Sequence, residues 1–358
     1  MIPYGRQSID DDDIAAVLAV LRSDFLTQGP AVEAFEAAIC AATGARFAVA
    51  LSSGTAALHA ALAAGGIGPG DTVATSPLSF AASANAARYL GASVRFVDIE
   101  GSTLNLDPAA VPGDVDALVA VHYAGLPVDL TRLAHRPRIV VEDAAHAIGA
   151  STPDGPVGNC AHSDMCCFSF HPVKTVTTGE GGAVTTNSPE LAAALRRFRH
   201  HGIVKSSDDP FWKYDITDLG YNYRLTDLQA ALGTSQMGRL ETFIERRNEV
   251  AQRYRHAFAD DDRVELPPSA PDGWRHGYHL FVVRVDDRDR VFEELRAGGI
   301  GVQVHYVPMY RFTSFGGADG AAFPHCEREF SRMISLPMFP TLDPADQDTV
   351  VDTVVAAL

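Results

Sequence analysis

The chain has 358 residues, enough for one large domain and a smaller one. Hydrophobic residues make up 46% and charged residues 21%, the balance of an ordinary globular protein. Forty-five acidic residues against 29 basic ones give a formal charge of −16, a surface that repels phosphate backbones and argues against nucleic acid as a partner.

Five cysteines form no C-x-x-C pair, so no zinc or other metal site is expected. Their odd number and the absence of a charged-then-apolar leader pattern point to reduced thiols and a cytoplasmic location. The apolar run Ala56–Ala64 is far shorter than the ~18–20 residues a membrane span needs, so no membrane partner is expected.

In chain order, the acidic run Asp10–Asp13 reads as a solvated helix start, where carboxylates favour the positive end of the helix dipole. Arg46–Leu51 reads as a strand and Thr55–Ala64 as a helix. Asp71–Thr75 is the next strand and Phe80–Leu90 the next helix. Ser93–Ile99, Ala117–His122 and Ile139–Glu142 follow as strands. These runs are Val-, Ile- and Ala-rich without polar alternation, the pattern of strands buried on both faces and joined by crossover helices. An α/β fold with a mostly parallel sheet follows. Cys166–Phe170 and Gly182–Thr186 read as two more strands around a turn, and Leu225–Phe258 as helix, broken near Gly238. After Pro267-Pro268 the character changes. Strand-like Tyr278–Val285 and Val302–Tyr306, with a helix near Arg290–Ala297, suggest a small separate α/β unit that Pro344–Leu358 closes as a helix. The boundary lies near 240–265, giving a large domain at 1–245 and a small C-terminal domain at 246–358.

Three segments could carry chemistry. Ser52-Ser53-Gly54-Thr55 turns from strand to Ala-rich helix, where free backbone N–H groups and the dipole bind phosphate; alone, it reads first as a plain Ser/Thr helix cap. Glu142-Asp143-Ala144-Ala145-His146 leaves a strand at its carboxyl end, the edge where open α/β sheets hold ligands; alone, Asp143 reads equally as a cap or a solvated acid. Ser169–Lys174 leaves another strand end, with Pro172 stiffening the exit before the Gly-rich turn Gly179–Gly182. A lysine so held is a Schiff-base candidate, although most lysines are simply exposed. Together the three are more specific. Pyridoxal 5'-phosphate (PLP) needs a phosphate cradle, an acid at its ring nitrogen and a lysine, and the chain supplies them in the order cradle, acid, lysine. Phe80, after another strand, could stack on the ring.

The sequence resembles the DegT/StrS sugar aminotransferases, of the aspartate-aminotransferase fold (fold type I), nearly end to end. The resemblance rests on Leu26–Pro30, Ser52–Thr55, Ser79–Asn85, Glu142–His146, Ser169–Lys174, Gly179–Gly182, Gly220–Leu225, Gln229–Gly233 and Val304–Pro308. It implies Lys174 as the Schiff-base lysine, Asp143 as the partner of the ring nitrogen, and His146 beside the phenolic oxygen. It implies Phe80 stacked on the ring, and Gly54, Thr55 and Ser169 holding the phosphate. Asn222 would reach the phosphate from the other subunit of a homodimer with shared sites, and His305 and Tyr306 would line the sugar site. Some members carry histidine at the lysine position and are dehydratases; Lys174 argues for amino transfer. The segments Phe168–Lys174, Tyr123–Gly125 and Val304–Pro308 resemble aminotransferases of the pseudaminic acid pathway. The implied reaction moves an amino group from glutamate to C4 of a UDP-linked 4-keto-6-deoxy-N-acetylhexosamine. UDP-4-ketopentoses and dTDP-4-keto-6-deoxyhexoses are the alternative substrates. A binding regulator without turnover is the alternative of another class; intact Lys174 and Asp143 argue against it.

Overall fold

The computed structural model describes residues 1–358. Seven strands form the central sheet: β1 (Phe47–Leu51), β2 (Thr72–Thr75), β3 (Ser93–Phe96), β4 (Ala117–Val121), β5 (Ile139–Asp143), β6 (Met165–Ser169) and β7 (Gly182–Thr186). Their spatial order is β1-β7-β6-β5-β4-β2-β3. β7 runs antiparallel to both neighbours, and every other pair is parallel. β4 is buried along its whole length, which a Val- and Ala-rich strand covered on both faces requires.

The register fixes where the loops meet. Val121 pairs with Asp143, and Asp143 with Cys167. Gly182 pairs with both Leu51 and Ser169. The carboxyl ends of β1, β4, β5 and β6 therefore share one edge of the sheet, and the turns that follow them open onto common ground.

Ten helices surround this frame: α1 (Asp11–Leu21), α2 (Pro30–Thr43), α3 (Gly54–Ala64), α4 (Ala82–Tyr89), α5 (Pro189–Phe198), α6 (Asp227–Met237), α7 (Leu240–Ala257), α8 (Arg288–Ala297), α9 (Pro324–Phe330) and α10 (Pro344–Ala357). α3 is buried at every position from Ala56 to Leu62, so small alanines let it lie close against the sheet. Ser53 caps it by accepting from the Ala56 N–H at 3.0 Å, a bond of about 1 kcal/mol. The helical stretch 225–258 breaks at Gly238-Arg239, between α6 and α7.

α1 begins where the acidic run predicts, with an Asp10–Asp13 capping box. The expectation of a wholly solvated run needs correction. Asp11 and Asp12 are exposed, but Asp13 is buried, where it accepts from Gln236 Nε2 at 2.6 Å and pairs with Arg239. The spacing of Asp13 to a distant arginine is invisible in the local sequence.

A second core of 21 buried residues runs from Val250 to Ala357. It gathers the end of α7, α8, α10 and the antiparallel pair β8 (Phe281–Arg284) and β9 (Met333–Leu336). Each fully buried Leu, Ile or Phe there contributes about 1.5–3 kcal/mol. Buried Arg247 on α7 donates to the carbonyls of Tyr278, His279 and Met338, which ties the helix to this unit. Val302–Tyr306 is not a strand. Only Gln303 pairs, with Ser335, and the rest of the segment is held by side chains. The sequence reading assigns no element to 30–43, 189–198 or 333–336, where α2, α5 and β9 lie.

Candidate active site

A cavity of about 460 Å³ opens at the shared edge of the sheet. It brings together nine of the ten residues picked from the sequence: Gly54, Thr55, Phe80, Asp143, His146, Ser169, Lys174, His305 and Tyr306. The tenth, Asn222, is exposed and does not line the cavity of its own chain. It pairs with His200 across a short backbone bridge.

The phosphate end is set by close backbone approach. A Cβ on Gly54 would stand 2.7 Å from the Ser169 Cβ, and one on Gly182 would stand 2.3 Å from the Ser53 carbonyl oxygen. Glycine at both positions lets the β1–α3 turn close onto β6 and β7. The start of α3 thereby presents its unpaired N–H groups beside the Ser169 hydroxyl.

Asp143 ends β5 and is buried. Its Oδ2 accepts from the Ser83 hydroxyl at 2.6 Å, and Ser79 lies 2.7 Å from Ser83 in turn. Its Oδ1 accepts from the Ala145 N–H at 3.2 Å. Together these bonds fix the carboxylate plane. The preceding Glu142 points to the other face of the strand, as the two-residue period demands. There it meets the His122 Nε2 at 2.7 Å, and the His122 Nδ1 accepts from the Val128 N–H, so Nε2 is the donor to Glu142.

Lys174 follows a tight turn in which its N–H donates to the His171 carbonyl at 2.8 Å. Burial of the amine lowers its pKa from the usual 10.5 to about 8; the charge of Asp143 opposes the shift and Arg247 adds to it. An amine so tuned is neutral far more often at pH 7 than an ordinary lysine, which is what a nucleophile or base requires.

The opposite wall is aromatic. His146 Nε2 lies 3.1 Å from the Tyr306 hydroxyl, and Phe80 sits 6.2 Å from the Tyr306 ring. His279 packs against His146 with ring centroids 4.3 Å apart and the planes tilted by 36°. Burial first, and then Lys174 ahead of the His305 and His122 rings, pushes His146 well below the usual histidine range, so the ring is neutral. His305 and Tyr306 are aimed by distant partners. His305 Nδ1 lies 2.8 Å from the Ser335 hydroxyl on β9, and the Tyr123 hydroxyl donates to the His305 carbonyl.

The sequence reading misses Tyr4, Ser83 and His279. His279 carries a faint signal, a polar ring inside an otherwise apolar run, and Ser83 lies within the Ser79–Asn85 block without being singled out; Tyr4 carries none.

The arrangement fits PLP. The start of α3 and Ser169 offer N–H and hydroxyl groups to its phosphate, Asp143 stands as an acid for its ring nitrogen, and Lys174 stands as the amine. The His146 Nδ1 is buried without a partner in the chain, which leaves this ring a hydrogen-bonding position to spend.

Comparison with known proteins agrees. The DegT/DnrJ/EryC1/StrS aminotransferase family matches residues 7–355. The spore coat polysaccharide biosynthesis protein SpsC of Bacillus subtilis is 37% identical over 99% of this chain and 96% of its own length. The UDP-4-amino-4,6-dideoxy-N-acetyl-beta-L-altrosamine transaminase of Campylobacter jejuni is 36% identical over 100% of this chain and 98% of its own. Spr1654 of Streptococcus pneumoniae, solved in a PLP form, superposes with a TM-score of 0.91 at 28% identity, covering 99% of this chain and 98% of that one. The chain belongs to the DegT/DnrJ/EryC1/StrS aminotransferase family and is a PLP-dependent aminotransferase.

Proposed function

We propose that the enzyme moves an amino group from glutamate to the C4 keto group of a nucleotide-linked 4-keto-6-deoxy sugar, with a UDP-linked N-acetylhexosamine as its substrate. The observation that carries this reading is the meeting of Lys174, Asp143 and the Gly54–Ser169 cradle in one cavity large enough for more than an amino acid. The Campylobacter relative, a transaminase of a UDP-linked 4-amino-4,6-dideoxy-N-acetyl sugar, supports the choice of sugar and nucleotide.

In this reading Gly54, Thr55 and Ser169 hold the phosphate, Phe80 covers the ring and His146 stands beside its phenolic oxygen. Asp143 keeps a proton on the ring nitrogen. PLP supplies an electron sink for a carbanion at the substrate carbon. Lys174 would anchor the cofactor, and its free amine would carry a proton to and from that carbon. One site serves both substrates in turn, so ping-pong kinetics follow. His305 and Tyr306 line the sugar end.

Residues 1–245 act as the cofactor domain and 246–358 as a smaller domain that supplies the sugar-side wall. The enzyme works as a cytoplasmic homodimer in which Asn222 completes the partner's cradle. Exposed Phe211, Trp212 and Leu219 near Asn222, between 76% and 94% accessible, support a covered surface there.

The test is a panel of UDP- and dTDP-linked ketosugars offered with glutamate. Amination of UDP-4-keto-6-deoxy-N-acetylhexosamine at a kcat/KM well above the others is the expected outcome. Preference for a UDP-4-ketopentose or a dTDP sugar would overturn the substrate assignment.

A further inference from the structure

Tyr4 lines the active-site cavity from the far N-terminus, and no part of the reading above gives it work. Its backbone is pinned on both sides. The Ile2 N–H donates to the Gly299 carbonyl at 2.9 Å, the Gly301 N–H to the Ile2 carbonyl at 2.7 Å, and the Met338 N–H to the Tyr4 carbonyl at 2.9 Å. A Cβ on Gly5 would lie 3.7 Å from the Val173 Cβ, so the same segment abuts the loop that carries Lys174. The N-terminal residues thus bridge the second core and the lysine loop.

The ring of Tyr4 packs at 5.3 Å on His305. The hydroxyls of its two tyrosine neighbours in this wall are engaged: Tyr306 with His146, and Tyr123 with the His305 carbonyl. The His305 Nδ1 is engaged with Ser335. The Tyr4 hydroxyl has no partner in the chain. A held, half-buried phenol facing a cavity is a hydrogen-bonding group kept for a ligand.

We propose that Tyr4 is a specificity-determining residue that hydrogen-bonds the sugar ring of the amino acceptor, beside His305, and takes no part in recognising glutamate. This rests on the functional reading above. The chemistry separates the two substrates. Recognising a carboxylate favours cationic donors, whereas hydroxyl, keto and acetamido groups pair well with neutral ones. Tyr4 and His305 are both neutral near pH 7: burial raises the phenol above its ordinary 10, and burial followed by Lys174 lowers the imidazole to about 4. A neutral phenol and a neutral imidazole side by side suit an uncharged, hydroxyl-rich ring.

The test measures the two half-reactions of the holoenzyme separately, by the absorbance change of the cofactor, in the native enzyme and in Tyr4→Phe. Phenylalanine keeps the ring against His305 and removes only the hydroxyl. With UDP-4-keto-6-deoxy-N-acetylhexosamine as the acceptor probe, kcat/KM should fall about tenfold, the worth of one hydrogen bond to a bound group. With glutamate it should stay within about twofold, and cofactor content should be unchanged. Equal loss in both half-reactions would make Tyr4 a structural residue and overturn the proposal, as would no change in either. Native enzyme that converts its cofactor with glutamate but does not aminate this sugar would instead overturn the substrate reading beneath it, and that result is seen before the variant is compared.

Discussion

The cofactor end and the sugar-side wall of one cavity are built in different ways. At the cofactor end, Gly54, Asp143 and Ser169 sit at or just past the carboxyl ends of three strands, and sheet register alone brings them together. At the other wall, Tyr4, His279, His305 and Tyr306 come from loops and a strand edge spread between residues 4 and 306, and side-chain bonds aim the last two, His305 to Ser335 and Tyr306 to His146. Positions fixed by a sheet tolerate little movement, whereas positions fixed by one bond can be re-aimed by one substitution. On the proposed function, the cofactor end sets the reaction and the wall sets the substrate.

Three outcomes would sharpen or break this contrast. The largest concerns Asp143. Asp143→Asn should bind PLP and fold, yet lose roughly 10²–10³-fold in kcat, because an amide cannot hold a proton on the ring nitrogen by charge. The loss should appear with every amino donor and acceptor alike. A loss confined to one sugar would move Asp143 to the substrate side and break the division.

The next concerns Asn222, which the single chain leaves outside the cavity. Lys174→Ala and Asn222→Ala, each inactive alone, should regain activity when their subunits are exchanged. Each hybrid dimer holds one native site, so random mixing should recover about a quarter of native activity. No recovery after exchange is verified by mass would place Asn222 elsewhere.

The smallest concerns acid. His276 is held neutral by burial, with Arg255 adding, and its pKa falls to about 3; His279 is lowered likewise, by burial and then by His146 and Lys174. The folded state binds fewer protons here than the unfolded state, whose histidines titrate near 6.5. The stability these rings provide is full above pH 6.5 and declines as pH falls below it. At pH 5, protection from hydrogen exchange, taken relative to the intrinsic rate at that pH, should fall at residues 276–280 and 303–307 before it does at β1 and β7. A uniform loss of protection would remove the contrast between wall and sheet.

How much of this was legible in the sequence follows the same line. β7 falls on Gly182–Thr186 as read, and β1, β2, β4, β5 and β6 within one residue at either end, because strands buried on both faces advertise themselves as unbroken apolar runs. Gly54, Asp143 and Lys174 stand out because chemistry-bearing residues at strand ends are few. β9 is missed: Met333–Leu336 is a short run whose Ser335 breaks the apolar pattern, and only its pairing with β8 makes it a strand. Val302–Tyr306 misleads in the opposite direction, since Val-x-Val alternation is present but pairing with β9 stops at the single bridge from Gln303 to Ser335. Tyr4 is unreadable because its place depends on contacts with Gly299, Gly301 and Met338, and nothing local to residue 4 encodes them.

The central claim is that Lys174 holds the cofactor. The chain has only three lysines, Lys174, Lys205 and Lys213, and the other two lie on an exposed segment away from the cavity. Reducing the holoenzyme with borohydride fixes PLP to whichever lysine carries it, and peptide mass spectrometry then reads the position. The account predicts the full cofactor mass on the peptide containing Lys174, none on the peptides containing Lys205 or Lys213, and no labelling of Lys174→Ala under the same conditions. Cofactor found on Lys205 or Lys213, or labelling undiminished in Lys174→Ala, would contradict it.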